Sequence, residues 1–567
     1  MSLISIYQVL PRLFGNKSTA PVFNGSRDEN GTGKMSDFTS SVLDEIKDFG
    51  FTHIWYTGLI EHARCTGDPE YGIPAGNPQI IKGKAGSPYA ITDYYDIDPD
   101  LADSIPDRMR EFEALVSRTH VAGLKMIIDF VPNHVARQYH SDVKPETDFG
   151  LNDHTEWNFS PLNDFYYTGQ PLQLPQGSGT KMGVDVDAYV ENPARVTGND
   201  QFSAYPNIND WYETVKLNYG VDYQNDKSGQ FNPHPVLWQK MVDILCYWAD
   251  KGVDAFRCDM AEMVPVEFWQ YAISEIKRQY PDVQFIAEVY NPSLYKDYIF
   301  RGGFDYLYDK VGLYDTLRSI ICSVGSAHQL TQCWEKLDGI DGKMLRFLEN
   351  HDEQRIASHF FAGDAFKALP AMLVAATINQ GAVMVYSGQE VGEPADGASG
   401  FSGDDGRTTI FDYYNVPQLQ KWYNGGKADC SLLNAAECKL RDYYKALLRM
   451  VGTEPCFTRG EFYDLMWANC CYGGPDTSKI FAFLRYADGE VALVVVNFDQ
   501  NNNHEFMLRI PEHAWNCIGI GMEGKVAIAP LFGDAQANEM PVRQTVDSGI
   551  QISLQKMSGV VMKVGKK

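Results

Sequence analysis

The segment "GVDAFRCDMAE" (252–262) sets an arginine and an aspartate two positions apart at the end of a stretch typical of a buried strand. Because successive side chains of a strand point to opposite faces, Arg257 and Asp259 share one face. A buried charge is costly unless it is paired or used in chemistry. The pair is therefore either a structural ion pair at a strand end or a catalytic carboxylate held by a permanent cation.

Other acidic side chains also lie at the ends of predicted strands. Asp129 ends the third strand, Glu288 ends the fifth, and Asp352 follows the seventh. Each alone could cap a strand or join a salt bridge, but their recurrence at strand ends favours a shared site. Two carboxyl groups that flank a glycosidic bond can cleave it with retention, because one attacks the sugar and the other protonates the leaving oxygen. A third can stabilise the developing oxocarbenium charge.

The surroundings of two of these acids match such roles. Arg257, on the same strand face, would keep Asp259 ionised and oriented, as a nucleophile requires. Glu288 lies among apolar residues in "FIAEV", an environment that raises a carboxyl pKa and suits a general acid. The sequence therefore favours the catalytic interpretation of the Arg257–Asp259 pair.

Eight short apolar runs, separated by amphipathic helical segments, would bring these residues to one end of a sheet. The runs are nearly continuous rather than alternating, as expected for parallel strands buried on both faces. Eight such units predict an α/β fold, a closed (β/α)₈ TIM barrel with its active site at the carboxyl ends of the strands. The predicted strands are residues 4–10, 52–58, 125–131, 253–259, 284–290, 304–309, 344–350 and 382–388.

Two regions interrupt the alternation of predicted strands and helices. About a hundred residues separate the third strand from the next helical pattern at 232–252, which predicts an inserted subdomain after strand three rather than a structureless loop. Beyond residue 455, short strands separated by turns predict an antiparallel β-sandwich. The predicted domains are a first barrel part (1–134), an inserted subdomain (135–230), a second barrel part (231–455) and the C-terminal β-domain (456–567).

The charge balance narrows the choice of partner. The 567 residues include 49 Lys and Arg against 74 Asp and Glu, a formal net charge of −25. Such a chain repels phosphate backbones and anionic lipids, so we expect neither a nucleic-acid nor a membrane partner. Aromatic residues make up 13% of the chain and can stack on sugar-like ligands. A neutral polar substrate fits this composition.

The cysteines indicate the compartment. Eleven are scattered through the chain, two of them adjacent, and no pair of C-x-x-C elements suggests zinc. This pattern is typical of reduced thiols and favours a cytoplasmic protein. The start, "MSLISIYQVLPRLF", lacks the basic segment, apolar run and cleavage site of a signal peptide. A signal removed before this start would instead mean export.

Four short motifs carry a family resemblance. The chain is similar to the α-amylase family of glycoside hydrolases (glycoside hydrolase family 13), whose four signature regions these segments resemble in the family's order. The resemblance covers essentially the whole chain: barrel, insert and C-terminal β-domain. The four segments are "DFVPNH" (129–134), "GVDAFRCDMAE" (252–262), "FIAEVY" (285–290) and "FLENHDEQR" (347–355).

The resemblance implies a role for each acid. Asp259 matches the family's nucleophile, Glu288 its general acid/base and Asp352 its transition-state stabiliser. The implied substrate-binding residues are Tyr89, His134, Arg257 and His351. His134 and His351 could instead be core residues, and Tyr89 a packing residue.

The chain also departs from the family pattern. Many α-amylases have a Lys-His pair after the nucleophile where this sequence has Glu262 and Met263. This difference bears on the outer substrate contacts and on one calcium ligand. Asn133 matches the calcium-associated asparagine of the family's first region or simply hydrogen-bonds within its loop, and "ETVKLNYG" (213–220) resembles a fifth region. No cofactor is required by the resemblance, no metal site is assigned, and Ca²⁺ stays open.

The implied function is retaining hydrolysis of α-glucosidic bonds, α-1,4 bonds first, in starch-like or maltooligosaccharide substrates. The same chemistry serves a transglycosidase or an α-1,6- or trehalose-type α-glucosidase, because outer subsites decide the linkage. A non-catalytic carbohydrate-binding relative is a further alternative, although such proteins typically lack one or more of the three acids. A metal-dependent barrel enzyme would need more clustered ligands than the two histidines.

Overall fold

Eight parallel strands close into a barrel in the computed structural model, each paired with the next barrel strand along the chain and the last paired with the first. The structure describes residues 3–182, 186–397, 400–401, 403–470 and 474–566. The barrel strands are β1 (Ile4–Val9), β2 (His53–Tyr56), β3 (Lys125–Phe130), β4 (Ala255–Cys258), β5 (Gln284–Ala287), β6 (Tyr306–Tyr308), β7 (Met344–Arg346) and β8 (Ala382–Tyr386). Each lies within a predicted strand, so the barrel prediction is confirmed.

The barrel interior is packed by one cluster of side chains to which all eight strands contribute, including Ile6, Trp55 and Tyr308. Ala255 of β4 belongs to this cluster, and Arg257 lies two residues further on the same face. In the register of the sheet, Arg257 is level with Asp129 of the neighbouring strand β3. The strand period therefore carries these charged side chains to the carboxyl end of the barrel interior.

Helices connect successive strands and cover the barrel. In α1, Val42, Leu43, Ile46 and Phe49 recur at helical spacing and are buried, while the Thr39 side chain accepts a hydrogen bond from Val42 N–H at the start. The helix ends at Gly50, whose φ of 115° suits glycine. The covering helices are α1 (Ser40–Phe49), α2 (Arg108–Val121), α3 (Val236–Asp250), α4 (Val266–Gln279), α5 (Tyr295–Phe300), α6 (Asp315–Ile321), α7 (Leu369–Thr377) and α8 (Ala435–Thr453).

The long connection between β3 and α3 leaves the carboxyl end of the barrel. Its regular structure in the described residues is sparse: Thr214–Lys216 pairs antiparallel with His134–Ala136, and a second short pair follows. In the first pair His134 lies opposite Lys216. The insert is therefore bound to the segment that directly follows β3, at the carboxyl end of the barrel strands.

The C-terminal part contains a six-stranded antiparallel sheet in the order β9-β10-β11-β14-β12-β13. A separate antiparallel pair is formed by His504–Leu508 and Ile550–Leu554. The sheet strands are β9 (Glu461–Asp464), β10 (Ile480–Ala487), β11 (Glu490–Asn497), β12 (Lys525–Phe532), β13 (Asn538–Pro541) and β14 (Ser558–Lys566). The antiparallel C-terminal fold agrees with the prediction, whereas the three exact boundaries between the predicted segments stay predictions.

Buried polar contacts join this sheet to the barrel. Arg485 of β10 is fully buried, and its guanidinium donates to the carbonyl oxygens of Thr377 in α7 and Gly460. The ten cysteines within the described residues are free thiols. Among these residues, the helices lack the combination of length and apolar composition that a bilayer crossing requires.

Candidate active site

Arg257 is the centre of the site. Its side chain is buried, and its guanidinium contacts three carboxyl groups. Nη1 lies 2.7 Å from Oδ1 of Asp259 and 3.4 Å from Oδ1 of Asp129, and Nη2 lies 2.7 Å from Oε2 of Glu288. The guanidinium donates a hydrogen bond to Asp259 and is the ion-pair partner of Glu288, so its charge holds the two acids near each other. The strand-end arginine thus forms ion pairs and also organises the acids.

Aromatic rings enclose the guanidinium. Its central carbon lies 5.3 Å from the Trp55 ring centre, 5.4 Å from Tyr89 and 5.6 Å from Tyr308. Nε also donates a hydrogen bond of 3.1 Å to the Tyr308 hydroxyl. Ring faces attract a cation and exclude water, so these contacts offset part of the cost of burying Arg257. They also strengthen its attraction to the acids.

Both oxygens of Glu288 accept hydrogen bonds, one from the loop after β4 and one from the loop after β5. Oε2 accepts one of 2.8 Å from Met260 N–H, and Oε1 accepts one of 2.5 Å from the Tyr290 hydroxyl. Burial raises the pKa of Glu288, and the charge of Asp259 adds to that rise. The charge of Arg257 and the two hydrogen bonds oppose it. The net direction is upward, as a carboxyl that must carry a proton requires.

Asp259 and Asp352 face different surroundings. Burial raises the pKa of Asp259, and the net direction is upward although the charge of Arg257 and their direct hydrogen bond oppose the rise. Burial raises the pKa of Asp352 well above its ordinary value, and the charge of Glu288 raises it further. Burial thus disfavours the charged form of each acid, and the charge of Arg257 opposes this at all three.

His351 is neutral and holds a fixed orientation. Its Nδ1 lies 2.8 Å from the amide nitrogen of Gln8, which can only donate, so the imidazole proton lies on Nε2. Nε2 then faces the Tyr89 hydroxyl at 2.5 Å and Oδ2 of Asp352 at 3.1 Å. Burial and the charge of Arg257 both lower the pKa of His351. It therefore serves as a neutral hydrogen-bond donor beside Asp352.

Tyr89 and His134 form part of the cleft wall. The Tyr89 ring is stacked on His351 at 5.2 Å, and its hydroxyl donates to Oδ1 of Asp129 at 3.3 Å. The His134 ring lies 5.3 Å from that of Trp211, a residue of the insert. Burial, and then the charge of Lys216, lower the pKa of His134 to about 3. Both wall residues are uncharged at neutral pH.

A cleft of about 440 Å³ opens over these groups, between the barrel strand ends and the insert. The predicted residues Tyr89, His134, Asp259, Glu288 and Asp352 line it directly. The other two predicted residues, Arg257 and His351, lie beneath them in contact with the acids. The structure thus brings all seven predicted residues together. Such a cleft, in which carboxyl groups face aromatic rings and the uncharged His134, with Lys82, Glu213 and Arg407 also in its lining, can bind a sugar and transfer protons to it.

Comparison with known proteins agrees with this geometry. The family model of the alpha amylase catalytic domain matches residues 8–397. The chain belongs to the alpha-amylase family. Alpha-amylase 3 of Dictyoglomus thermophilum is 24% identical over 322 residues, covering 54% of this chain and 53% of that protein. Alpha-amylase 2 of the same organism is 22% identical over 464 residues, covering 81% and 63%.

The matched segments therefore span about half to three fifths of these relatives' own length. Among solved structures, an alpha-amylase from Geobacillus thermoleovorans, complexed with acarbose, superimposes with a TM-score of 0.61 at 18% identity. The superposition covers 100% of this chain and 98% of that one, and it supports the fold. Other relatives are named Maltase A1 of Drosophila melanogaster and a maltosyltransferase of Picrophilus torridus. The comparisons therefore establish the family, whereas the names of the relatives cover more than one type of reaction.

Glu262, which replaces the lysine of many alpha-amylases, has a structural role here. Its Oε2 accepts hydrogen bonds from the backbone N–H groups of Tyr290 and Asn291, at 3.0 and 2.9 Å. It therefore ties the loop after β4 to the loop after β5, which carries Glu288. A lysine has no acceptor and could not make these bonds.

Sequence reasoning missed several contributors to the site. Tyr290, Tyr308 and Trp211 contact or face the predicted residues, but none stood out from the other aromatics in the chain. Tyr290 had one available signal, since it is two residues after Glu288 and emerges on the same side of the chain. Trp211 had none, because its contact with His134 depends on how the insert folds.

The calcium alternative can be tested on the residues present. Oδ1 of Asn133, the oxygen that would face an ion, accepts a hydrogen bond of 2.7 Å from the Lys216 ammonium. Within the described residues, no group of three His, Cys, Asp or Glu side chains could hold a metal ion. In another segment rich in oxygen-bearing side chains, 26–38, Ser26 and Glu29 cap a short helix. The donor set at Asn133 therefore does not fit calcium.

Proposed function

We propose that this protein is a retaining glycoside hydrolase that cleaves α-glucosidic bonds, α-1,4 bonds first, in starch-like or maltooligosaccharide substrates. One observation carries the proposal: Asp259 and Glu288 bind the two terminal nitrogens of one guanidinium, each at 2.7 Å, and both line the same cleft. Because the chain matches only part of these relatives' length, the activity of the whole protein is itself a proposal.

The short bridge between the two acids favours retention over inversion. Retaining enzymes hold their carboxyl groups roughly 5–5.5 Å apart, whereas inverting enzymes need about 6.5–9.5 Å to admit a water molecule between acid and sugar. Two carboxyl groups on neighbouring nitrogens of Arg257 are close together. Their common contact with Arg257 therefore supports direct attack by a carboxylate rather than by an interposed water.

Asp259, Glu288 and Asp352 would each have a defined role in the two steps of the reaction. The Asp259 carboxylate attacks the anomeric carbon, while Glu288 gives its proton to the leaving glycosidic oxygen as that bond breaks. The product is a glycosyl ester of Asp259 and an ionised Glu288. Glu288 then takes a proton from water as the water oxygen attacks the anomeric carbon and releases Asp259. Asp352 faces the positive charge that develops on the sugar in both steps.

The walls of the cleft suit an uncharged sugar. Tyr89, His134 and Trp211 provide ring faces and neutral polar atoms, and the pKa values of both nearby histidines are lowered by burial. A net charge of −25 disfavours anionic substrates. Alpha-amylases and maltases among the relatives make α-linked glucose units the first class to test.

Transglycosylation is the second candidate. A relative is named a maltosyltransferase, and the same glycosyl ester could pass to a sugar hydroxyl instead of water. Action on α-1,6 or trehalose-type linkages would use the same acids. A non-catalytic carbohydrate-binding role is disfavoured, because the three acids and their arginine are all present and face one cleft.

A product profile separates these functions. Protein would be incubated with maltooligosaccharides, soluble starch, pullulan and trehalose, and products resolved by size and by anomeric form. α-Anomeric glucose or short maltooligosaccharides are expected from the wild type, and none from the Asp259→Asn variant. Products longer than the substrate would favour the transferase. β-Anomeric products would contradict retention, and no turnover on any substrate would contradict the proposal.

A further inference from the structure

A buried lysine lies where the insert meets the barrel. Lys216 is 2% exposed, and its Nζ lies 2.7 Å from Oδ1 of Asn133 and 2.5 Å from Oδ1 of Asp200. The ammonium also stands over the Tyr223 ring, 5.4 Å from its centre. Lysine is almost never fully buried unless its charge is paired, so this one has a specific use.

The partners of this ammonium belong to different parts of the chain. Asn133 follows β3 at the barrel end, whereas Asp200 and Tyr223 belong to the long insert. Asn133 is bound on its other side too, because its amide nitrogen donates to the carbonyl oxygen of Gly198 at 2.7 Å. One cation and one amide therefore join the barrel end to two points of the insert.

This arrangement is what a bridging metal ion would otherwise supply: a positive charge shared by oxygens from separate segments. The ammonium already occupies that position, and a divalent cation beside it would meet like charge. We infer that Lys216 acts as a built-in cation that fixes the insert to the end of β3, so that this junction needs no calcium.

The same bridge extends to the cleft. Lys216 is opposite His134 in the short antiparallel pair. The amide nitrogen of Asn133, whose oxygen binds Lys216, lies 3.2 Å from Nδ1 of His134. His134 lines the cleft beside Glu288. Lys216 is therefore a positioning residue for the cleft wall, and this part of the inference rests on the proposed function.

The metal requirement can be measured without substrate. Thermal unfolding and limited proteolysis of the full chain would be compared in EDTA and in millimolar CaCl₂. The expected result is the same Tm and the same rate of cleavage within the insert in both buffers. A lower Tm or faster cleavage in EDTA, reversed by CaCl₂, would overturn the built-in cation.

A pair of variants tests the lysine itself. Lys216→Met keeps the length of the side chain and removes its charge. Lys227→Met removes an exposed lysine that stands over the same Tyr223 ring at 5.5 Å, so it is the matched control. Lys216→Met should be cleaved within the insert at least about tenfold faster than wild type, because hydrogen bonds to charged groups are lost. Lys227→Met should match wild type.

Equal protease resistance of the two variants would overturn the inference. Should Lys216→Met fail to fold, Asp200→Asn takes its place, because the Asp200 side chain is 30% exposed and asparagine keeps its size. It should show an intermediate rise in cleavage, and wild-type resistance would count against the bridge. These readouts need no substrate, so they stand even where the product profile refutes the proposed hydrolase. With active protein, Lys216→Met should also raise KM more than Lys227→Met does.

Discussion

Removal of one hydroxyl group should move the alkaline side of the pH profile. The Tyr290 hydroxyl donates a hydrogen bond of 2.5 Å to Oε1 of Glu288, which is buried. This bond favours the ionised carboxylate and so lowers the pKa of Glu288. The Tyr290→Phe substitution takes it away, so Glu288 should keep its proton to higher pH. Because the general acid must be protonated to act, activity should persist further into the alkaline range.

The size of the effect follows from the kind of bond. A hydrogen bond to a charged group contributes about 1.5–3 kcal/mol, and water in the open cleft would replace part of it. A remainder of about 1.4 kcal/mol equals a tenfold change in the ratio of protonated to ionised Glu288 at a given pH. Relative to its own maximum, Tyr290→Phe should thus retain up to about tenfold more activity on the alkaline limb.

The assay is kcat/KM against pH, which reports the ionisation of the free enzyme. Tyr280→Phe is the matched control, because the Tyr280 hydroxyl also donates to a carboxylate, that of Asp250 at the end of α3. Its profile should coincide with that of wild type. An alkaline limb of Tyr290→Phe that stays in place, or moves to lower pH, would refute the reasoning about Glu288.

Two further substitutions test the supports of the acids. Arg257→Met should lower the free energy of unfolding in urea by about 3–5 kcal/mol and abolish turnover, because it leaves buried carboxylates without their cation; wild-type stability would contradict this. Glu262→Ala should lower kcat/KM by about tenfold by freeing the loop after β5, whereas Glu262→Gln, which keeps an acceptor oxygen, should lose much less. Equal losses in the two Glu262 variants would mean that its hydrogen bonds do not position that loop.

The periodic parts of the molecule were predictable from the sequence. Each barrel strand falls inside its predicted run, although β6 and β7 are only three residues long. The alternation of strand faces correctly placed Arg257 and Asp259 on one side, and it is the reason that the acids meet. The seven predicted site residues do gather at one cleft, while their catalytic and binding roles stay predictions, as do the domain boundaries and the cytoplasmic location.

Contacts made by the insert could not be predicted in the same way. The ion pair between Lys216 and Asp200 joins loops that have no hydrophobic periodicity. No local sequence pattern predicts that these loops come together. The same holds for Trp211 against His134. The hydrogen bond from Arg257 to Tyr308 spans 51 residues and depends on closure of the barrel. Sequence periodicity reports the face of a strand, whereas such contacts depend on the tertiary arrangement of distant segments.

The covalent intermediate tests the central claim most directly. A Glu288→Gln variant would be incubated with a 2-deoxy-2-fluoro-α-glucosyl fluoride, whose good leaving group needs no acid and whose fluorine slows release of the ester. Mass spectrometry of the digest should find one fluoroglucosyl group on the peptide that contains Asp259. The same group on another residue, or no label despite consumption of the reagent, would contradict the assignment of Asp259 as the nucleophile.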